Sequence, residues 1–544
     1  MTPLSLAAIL LLSTALPAPA QAPAAAGSQP IEPQQFAPTP PYREQAEARG
    51  RVVLVSVDDV VRRALANNLD VLIERYNVEL AQQRLAGARG AYDPVLSFSS
   101  TLGSTTNPLA AASGAAVIPS EQLDTLSGAS SLRQTMPGGT SASLTVSGQR
   151  NATTNLASLL TPSFASTLTA SLTQPLLRGF VHTAQGRQVG VAALDTQIAR
   201  AQYRQRLTQV MQQVLNQYWE LVFAIESYEA RRQSKAVALL QYESASVRVQ
   251  NGLLTPVALT AAQAEIASRE RDLLQAQVLI IIAENGLKQL LAEDPASALW
   301  ESTVIPSDRP EAEGPALALA LAESQVLART RRPELEQVNL QLEQNRIDRT
   351  FYTWEARPTV NLGATVAAVG RAGTVLQRTA DGRVADPGNP AFGRSDAAWR
   401  QLWNRDFPAW TFSLNVQVPI SNRTAEAQLA QARIAGERLA TQLAKLQQSV
   451  GLEAQNAWQV IAVQRKSLEA ARLTARLFEQ QLEAQRARYE SGFSSDFELL
   501  RYQRDLVDAK VRELRALVDL QQGVIALQRA TDTLLDYLRV PQTR

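Results

Sequence analysis

Little in this chain can make or break a covalent bond. It contains no cysteine and one histidine, His182, which removes thiol nucleophiles, disulfide frameworks and the usual Cys/His zinc sites. Hydroxyl and carboxylate catalysis and all-oxygen metal sites stay open by composition. No Gly-x-Ser-x-Gly turn occurs, however, and His182 lacks a partner for a hydrolytic triad. A surface histidine at a helix start accounts for it. No phosphate-binding loop is present, and no cofactor is expected. The residues whose spacing carries information lie at two helix breaks. Arg248, Gly252, Leu259 and Gln263 recur as Arg488, Gly492, Leu499 and Gln503 at a constant offset of 240, and Thr255 and Glu265 meet the similar Ser495 and Asp505. Their chemistry is that of helix ends. Thr255 can cap a helix with Pro256 at its first position, and Ser495 with Glu498 makes a capping box for a helix opening at Asp496.

The elements holding these breaks form two copies of one programme. Leu4 to Leu16 is an apolar run of signal-peptide length, and Ala18-Pro19-Ala20 supplies a cleavage site, so residues 1–20 read as an export signal although no Lys or Arg precedes the run. Residues 21–50, rich in Pro, Ala and Gln, read as a mobile tail. The first repeat occupies 51–294. Its helix starts at Ser56-Val57-Asp58-Asp59, runs to about Gly90 and stops before Pro94. An alternating block follows to Pro175, then a helix from about Thr183 to Val249, roughly 100 Å long, then a break at Gly252 and a helix to about Glu293. Residues 295–315 are a proline-bearing linker. The second repeat, 316–540, has a helix from about Leu317 to Ala356, strands between Pro358 and Pro419, a long helix from about Asn422 to Glu490, a break at Gly492, and a helix from Asp496 to about Leu538.

The alternating blocks decide where the chain resides. Trp410, Phe412, Leu414, Val416 and Val418 face one way and Thr411, Ser413, Asn415 and Gln417 the other, opposite a partner strand carrying Val360, Leu362 and Val366. Leu96, Phe98 and Leu102, and later Leu168, Ala170 and Leu172, repeat the pattern more weakly. In hydrocarbon only helices and closed barrels satisfy every backbone polar group, and barrel strands alternate apolar outward with polar inward. Tyr92, Phe351, Tyr352, Trp354 and Trp410 sit where an interfacial girdle belongs. Two strands per repeat give four per chain, too few to close a pore. Several copies are needed, and three would give twelve strands. The further alternating stretch at 140–148 is left as an extracellular or periplasmic hairpin. Lys+Arg (53) and Asp+Glu (51) nearly cancel, so no global field points to nucleic acid. In the long second helix, Leu443, Leu446, Val450, Ala454, Ala457, Ile461, Gln464, Leu468 and Ala475 keep to steps of three and four, a coiled-coil seam.

From Val57 to Leu538 the chain resembles the TolC family of outer-membrane efflux proteins. The resemblance rests on the duplicated architecture, the Gly-x-x-Ser/Thr breaks at Gly252 and Gly492, the run Arg332-Pro333-Glu334-Leu335, and the strand-to-helix junctions Gln174-Pro175-Leu176 and Val418-Pro419-Ile420. It implies a mainly α protein with a transmembrane β-barrel portion: a homotrimer sharing a twelve-stranded barrel in outer-membrane lipid above an α-helical coiled-coil tunnel in the periplasm of a Gram-negative bacterium. It also implies docking to a periplasmic adaptor and to an inner-membrane pump or secretion ATPase. The two breaks would form the tunnel entrance, with Tyr489 in inter-helix hydrogen bonds and Glu498 in an acidic ring. Arg501 stands one turn on, where a second acid is common in the family, so a less acidic entrance is expected. The competing class is a soluble periplasmic coiled-coil scaffold or adaptor, which explains the helices but not two proline-bounded hairpins between them.

Overall fold

The computed structural model describes residues 38–108, 120–155, 158, 160–310, 319–375, 377–379, 382–384 and 393–540. The expected export signal lies outside them. The first repeat opens with α1 (Tyr42–Arg49), β1 (Val52–Val55), α2 (Val57–Asn67) and α3 (Leu69–Arg89), ending in a tight turn at Gly90–Tyr92. Four strands follow: β2 (Val95–Pro108), β3 (Ser120–Thr135), β4 (Ser141–Thr153) and β5 (Leu160–Pro175). Then come α4 (Ala184–Gln250), α5 (Pro256–Leu291) and a short β6 (Thr303–Pro306). The second repeat has α6 (Leu321–Arg331), α7 (Pro333–Glu355), β7 (Thr359–Val375), a small hairpin β8 (Gln377–Thr379) and β9 (Gly382–Val384), and α8 (Ser395–Asn404). It ends with β10 (Pro408–Gln417), α9 (Arg423–Glu490), α10 (Asp496–Ala530) and α11 (Leu534–Tyr537).

The long helices start and stop where local chemistry dictates. Thr183 caps α4, its Oγ1 accepting from the Gly186 N–H at 2.9 Å. With 67 and 68 residues, α4 and α9 each reach about 100 Å. The helices expected to be continuous from Val57 and from Leu317 are each broken once. At Asn68 the side-chain oxygen accepts from Asp70 and Val71 at 3.0 and 3.2 Å and starts a new helix. At Pro333 the ring cannot donate the bond a continuous helix needs. The buried Arg332 beside it donates to Glu334 at 2.8 and 2.9 Å and to Glu453 on α9 at 3.0 Å. The Arg-Pro-Glu-Leu run is thus a corner nailed to a neighbouring helix. The seam of α9 packs on α10, burying Val450, Ala454, Ile461, Leu468 and Ala475.

Two boundaries differ from the sequence expectation. The end of the expected tail is docked: Tyr42 and Ala46 on α1 are buried in the largest core, and the Tyr42 N–H donates to Glu229 at 2.6 Å. The linker also contributes structure, because β6 pairs in parallel with β1 over Val52–Val55. Short segments without periodicity gave no signal; long-range burial orders them. Together they wrap the middle of α4, where Val210, Met211, Val214, Tyr218, Leu221 and Val222 share a core with Leu273, Ile280 and Leu287 of α5.

The sheet is the larger correction. It has six antiparallel strands in the order β10-β7-β5-β4-β3-β2. The first repeat gives four strands rather than two, and the stretch at 140–148 is β4, inside the sheet rather than a separate hairpin. The strand without a readable period is β3, where Ser127 and Ser131 on one face and Ser130 on the other blur the alternation. Register aligns one apolar row across all six strands: Leu96, Leu132, Leu144, Ala170, Val366 and Trp410. The opposite face carries Ser97, Ser131, Thr145 and Thr169 in the adjacent row, with Thr145 Oγ1 donating to Ser131 Oγ at 3.1 Å. All four junction prolines lie at one end. Pro94 and Pro358 precede β2 and β7, while Pro175 closes β5 and Pro419 follows β10. Toward the other end α8 lies on the apolar face over Gly148, Ser166 and Gly370, burying Ala398 and Leu402, and Ser166 donates to the Ala398 carbonyl at 2.8 Å.

Between α10 and α11, Asp532 adopts φ 53°. Burial pushes its carboxyl from 3.8 up to about 6, helped by Glu334 and Asp536 and opposed by Arg204 and Arg332. The folded state therefore holds a proton that the unfolded chain releases, and folding loses stability as pH rises through about 6. Asp532→Asn, tolerated at positive φ, should raise stability above pH 6 by on the order of 2 kcal/mol. Thermal unfolding at pH 8 and pH 4 checks this: the gain should be present at pH 8 and absent at pH 4.

Candidate functional site

The two helix breaks share one geometry at the helix ends remote from the sheet. In the first, the Leu253 N–H reaches the Arg248 carbonyl at 2.8 Å and the Gly252 N–H reaches Val249 at 3.0 Å; in the second, Phe493 reaches Arg488 at 2.9 Å and Gly492 reaches Tyr489 at 3.0 Å. This pair of backbone bonds is the Schellman cap, which needs a left-handed residue. Gly252 and Gly492 supply it with φ 70° and 78°. The repeated arginines therefore mark the carbonyls that close each helix.

The restarts differ in detail from the expected caps. Thr255 stands at the cap position with Pro256 after it, but its side chain makes no capping bond. Proline has no N–H to offer and fixes the backbone by itself. Ser495 Oγ does accept from the Glu498 N–H, at 3.3 Å, at the start of α10 on Asp496. The return half of the box is missing, because the Glu498 carboxylate turns instead to Ser494 Oγ at 3.0 Å and Gln485 Nε2 at 3.1 Å. Gln485 is itself buried. Arg501 lies 3.9 Å from Asp505, one turn along the same helix.

Two contacts tie the repeats together here. Arg248 on α4 donates to Tyr489 Oη on α9 at 2.7 Å and lies 5.4 Å from the centre of that ring. Gln241 donates to Gln503 at 3.2 Å, joining α4 to α10. Between α5 and α10 runs a cleft of about 520 Å³, walled by Ala258, Ala261 and Ala262 on one side and Phe497, Leu500 and Arg501 on the other. The tips also present Leu253, Val257, Phe493 and Phe497 to solvent, Phe493 at 86% exposure. Sequence reading passed over these four; a large apolar residue straight after each helix-ending glycine was the available signal for Leu253 and Phe493.

At the other end, Trp410, Phe412, Leu414, Val416 and Val418 are all exposed, as are Leu96, Phe98 and Leu102 on β2. Arg187 lies 5.4 Å from the ring centres of both Phe351 and Tyr352, and Trp354 sits between Arg357 and His182, where α7 meets the sheet. No helix among the described residues is long and apolar enough to cross a membrane, and they contain no metal-ligating cluster.

Residues 139–293, from the turn before β4 to the end of α5, match the family model described as outer membrane efflux protein. The chain carries an outer membrane efflux protein domain. This domain spans β4, β5, α4, the Gly252 break and α5, whereas β2 and β3 lie outside the matched residues. Most of the chain is similar in fold to solved outer-membrane channels. The Campylobacter jejuni CmeC outer membrane channel aligns with a TM-score of 0.61 at 14% identity, covering 88% of this chain and 86% of that one. The Vibrio cholerae outer membrane protein VceC aligns at 0.57 and 16%, covering 89% and 95%. The open state of the Neisseria gonorrhoeae MtrE outer membrane channel aligns at 0.57 and 17%, covering 88% and 89%. No curated protein matches the sequence.

Tyr489→Phe keeps the ring but deletes the acceptor of the Arg248 bond, worth about 1 kcal/mol when half exposed. Local opening at the tip should become about fivefold more frequent. Amide hydrogen exchange over 245–253 and 486–493 should accelerate accordingly, with the middle of α4 unchanged.

Proposed function

We propose that the chain is a passive exit duct of the outer membrane, working in a tripartite efflux or type I secretion system. Three copies set their sheets in the lipid and their long helices in the periplasm. The carrying observation is the apolar row that crosses all six strands with none of the described residues over most of it: Leu96 is 64% exposed and Trp410 72%. A soluble scaffold would have to cover that face with a core, and α8 covers only a small part near one end. Oligomerisation has its own support. Leu69, Ile73, Tyr76 and Leu80 form a half-exposed apolar stripe along α3 at helical spacing, and Leu274, Val278, Ile281 and Ile282 do the same on α5.

The breaks at Gly252 and Gly492 form the periplasmic entrance in this reading. The apolar tips and the alanine-walled cleft receive a periplasmic adaptor, itself coupled to an inner-membrane pump or secretion ATPase. Opening parts the helix pairs at the Arg248–Tyr489 and Gln241–Gln503 bonds. The Glu498 carboxylate is drawn into bonds with Ser494 and Gln485, and Arg501 stands beside Asp505, so the entrance attracts cations only weakly.

Membrane fractionation with a heated-versus-unheated gel tests the duct: an outer-membrane oligomer that dissociates only on heating is expected, and a soluble monomer sinks the proposal. Phe412→Arg puts a charge in lipid at about 2–4 kcal/mol near mid-depth and should abolish that oligomer, while Thr411→Arg on the polar face should leave it. Gly492→Leu meets open space but a positive φ, costing roughly 1–2 kcal/mol of backbone strain. Export should drop with barrel insertion intact; normal export would refute the entrance assignment.

A further inference from the structure

The sheet has two open edges. Among the described residues β2 pairs only with β3 and β10 only with β7, which leaves one long edge over Val95–Pro108 and another over Pro408–Gln417. In hydrocarbon each unpaired backbone group costs several kcal/mol. Something must pair with both edges. The two run in opposite directions, β2 away from the helices and β10 toward them, so β10 of one copy presented to β2 of the next makes an antiparallel seam like every other pairing in the sheet.

We propose that β2 and β3 belong to the barrel wall, so that the assembly closes with six strands from each of three chains, eighteen in all, through β10–β2 seams. The inference rests on the three-copy duct proposed above. Three features place the β2–β3 pair in the wall rather than outside it. Its apolar residues Leu96, Phe98, Leu102, Leu126 and Leu132 lie on the same face as Leu144, Val366 and Trp410, with Leu96 and Leu132 in register with them. Its pairing is long and unbroken, from Val95↔Arg133 to Pro108↔Ser120 and on through Leu123↔Thr153 to Thr135↔Ser141. Finally, its helix-side end is built into the junction. The turn after β3 closes with Met136 N–H on Thr140 at 2.8 Å, and Gln134 donates to the Tyr92 carbonyl at 3.3 Å. Gly139, at φ 81°, presses so close to Gly179 and Pro175 that a Cβ there would collide with the Gly179 carbonyl.

A barrel's width grows roughly linearly with strand number. At equal tilt, eighteen strands give a wall about 1.5 times as wide as twelve. The polar face that would line it carries many small uncharged residues, Ser97, Ser99, Thr101, Ser131, Thr145, Ser147, Thr167 and Thr169 among them, together with the charged Glu121, Arg133 and Arg371, so the outer part of the duct suits bulky cargo.

The chain has no cysteine, which makes cross-linking clean. Ser413→Cys on β10 is combined in turn with Ser97→Cys, Ser99→Cys and Thr101→Cys on β2, or with Ser143→Cys, Thr145→Cys and Ser147→Cys on β4, all on the polar face. A short bis-maleimide is applied to outer membranes, followed by a denaturing gel. The expected result is a covalent series reaching three chains with at least one β2 partner and none with β4. Cross-linking through β4 instead, a series stopping at two chains, or no product in an oligomer that is intact before denaturation each overturn the eighteen-strand wall. Absence of any heat-dissociable oligomer in the membrane before cross-linking overturns the duct reading itself, and the inference with it.

Discussion

A backbone carbonyl or amide in lipid has no water to turn to. A sheet that shows an apolar face to hydrocarbon must therefore pair every strand edge, and among the described residues this sheet leaves two of its own edges free. That constraint joins the parts of the molecule. On the duct reading proposed above, it makes a single chain incomplete and calls for neighbours. With the strands bounded by four prolines at one end, the closed sheet of that reading would also set the circle from which the long helices descend. The helices share that feature: the apolar stripes on α3 and α5 stay half-exposed among the described residues.

The remote tips follow a different logic. A helix of 67 residues ends only where the sequence ends it, and here a glycine in the left-handed region does so twice with the same pair of backbone bonds. The two tips are nonetheless unequal. One restarts on a proline and the other on a serine whose neighbour Glu498 bonds elsewhere. Duplicated geometry with divergent side chains leaves the stops in place while one tip forms a polar network and the other an alanine wall. Bonds such as Arg248–Tyr489 hold the pairs of helices together at modest strength, which suits the opening proposed for this end.

Much of this was legible in the residues. Residues 410–417 alternate without error, so their strand and its two faces could be read directly. The 240-residue offset marked both breaks, and the steps of three and four along α9 named the seam that is buried. The rest failed for physical reasons. In β3 serine stands on both faces, so a period of two loses contrast and that strand was missed, while β4 alternates legibly but nothing local gave its place inside the sheet. Asn68 and Arg332 break helices through a cap and a buried ion cluster, which local apolar spacing does not encode. The docked α1 depends on Glu229, nearly two hundred residues away. The Thr255 cap failed because Pro256 had already fixed the turn.

The central claim is that one face of the sheet touches lipid and the other water. Single cysteines placed in turn at residues 410 to 417 of this cysteine-free chain can be exposed, in intact outer membranes, to a membrane-impermeant thiol reagent. The account predicts labelling that alternates, strong at 411, 413, 415 and 417 and weak at 410, 412, 414 and 416. Uniform labelling along the strand, or the opposite alternation, would contradict it.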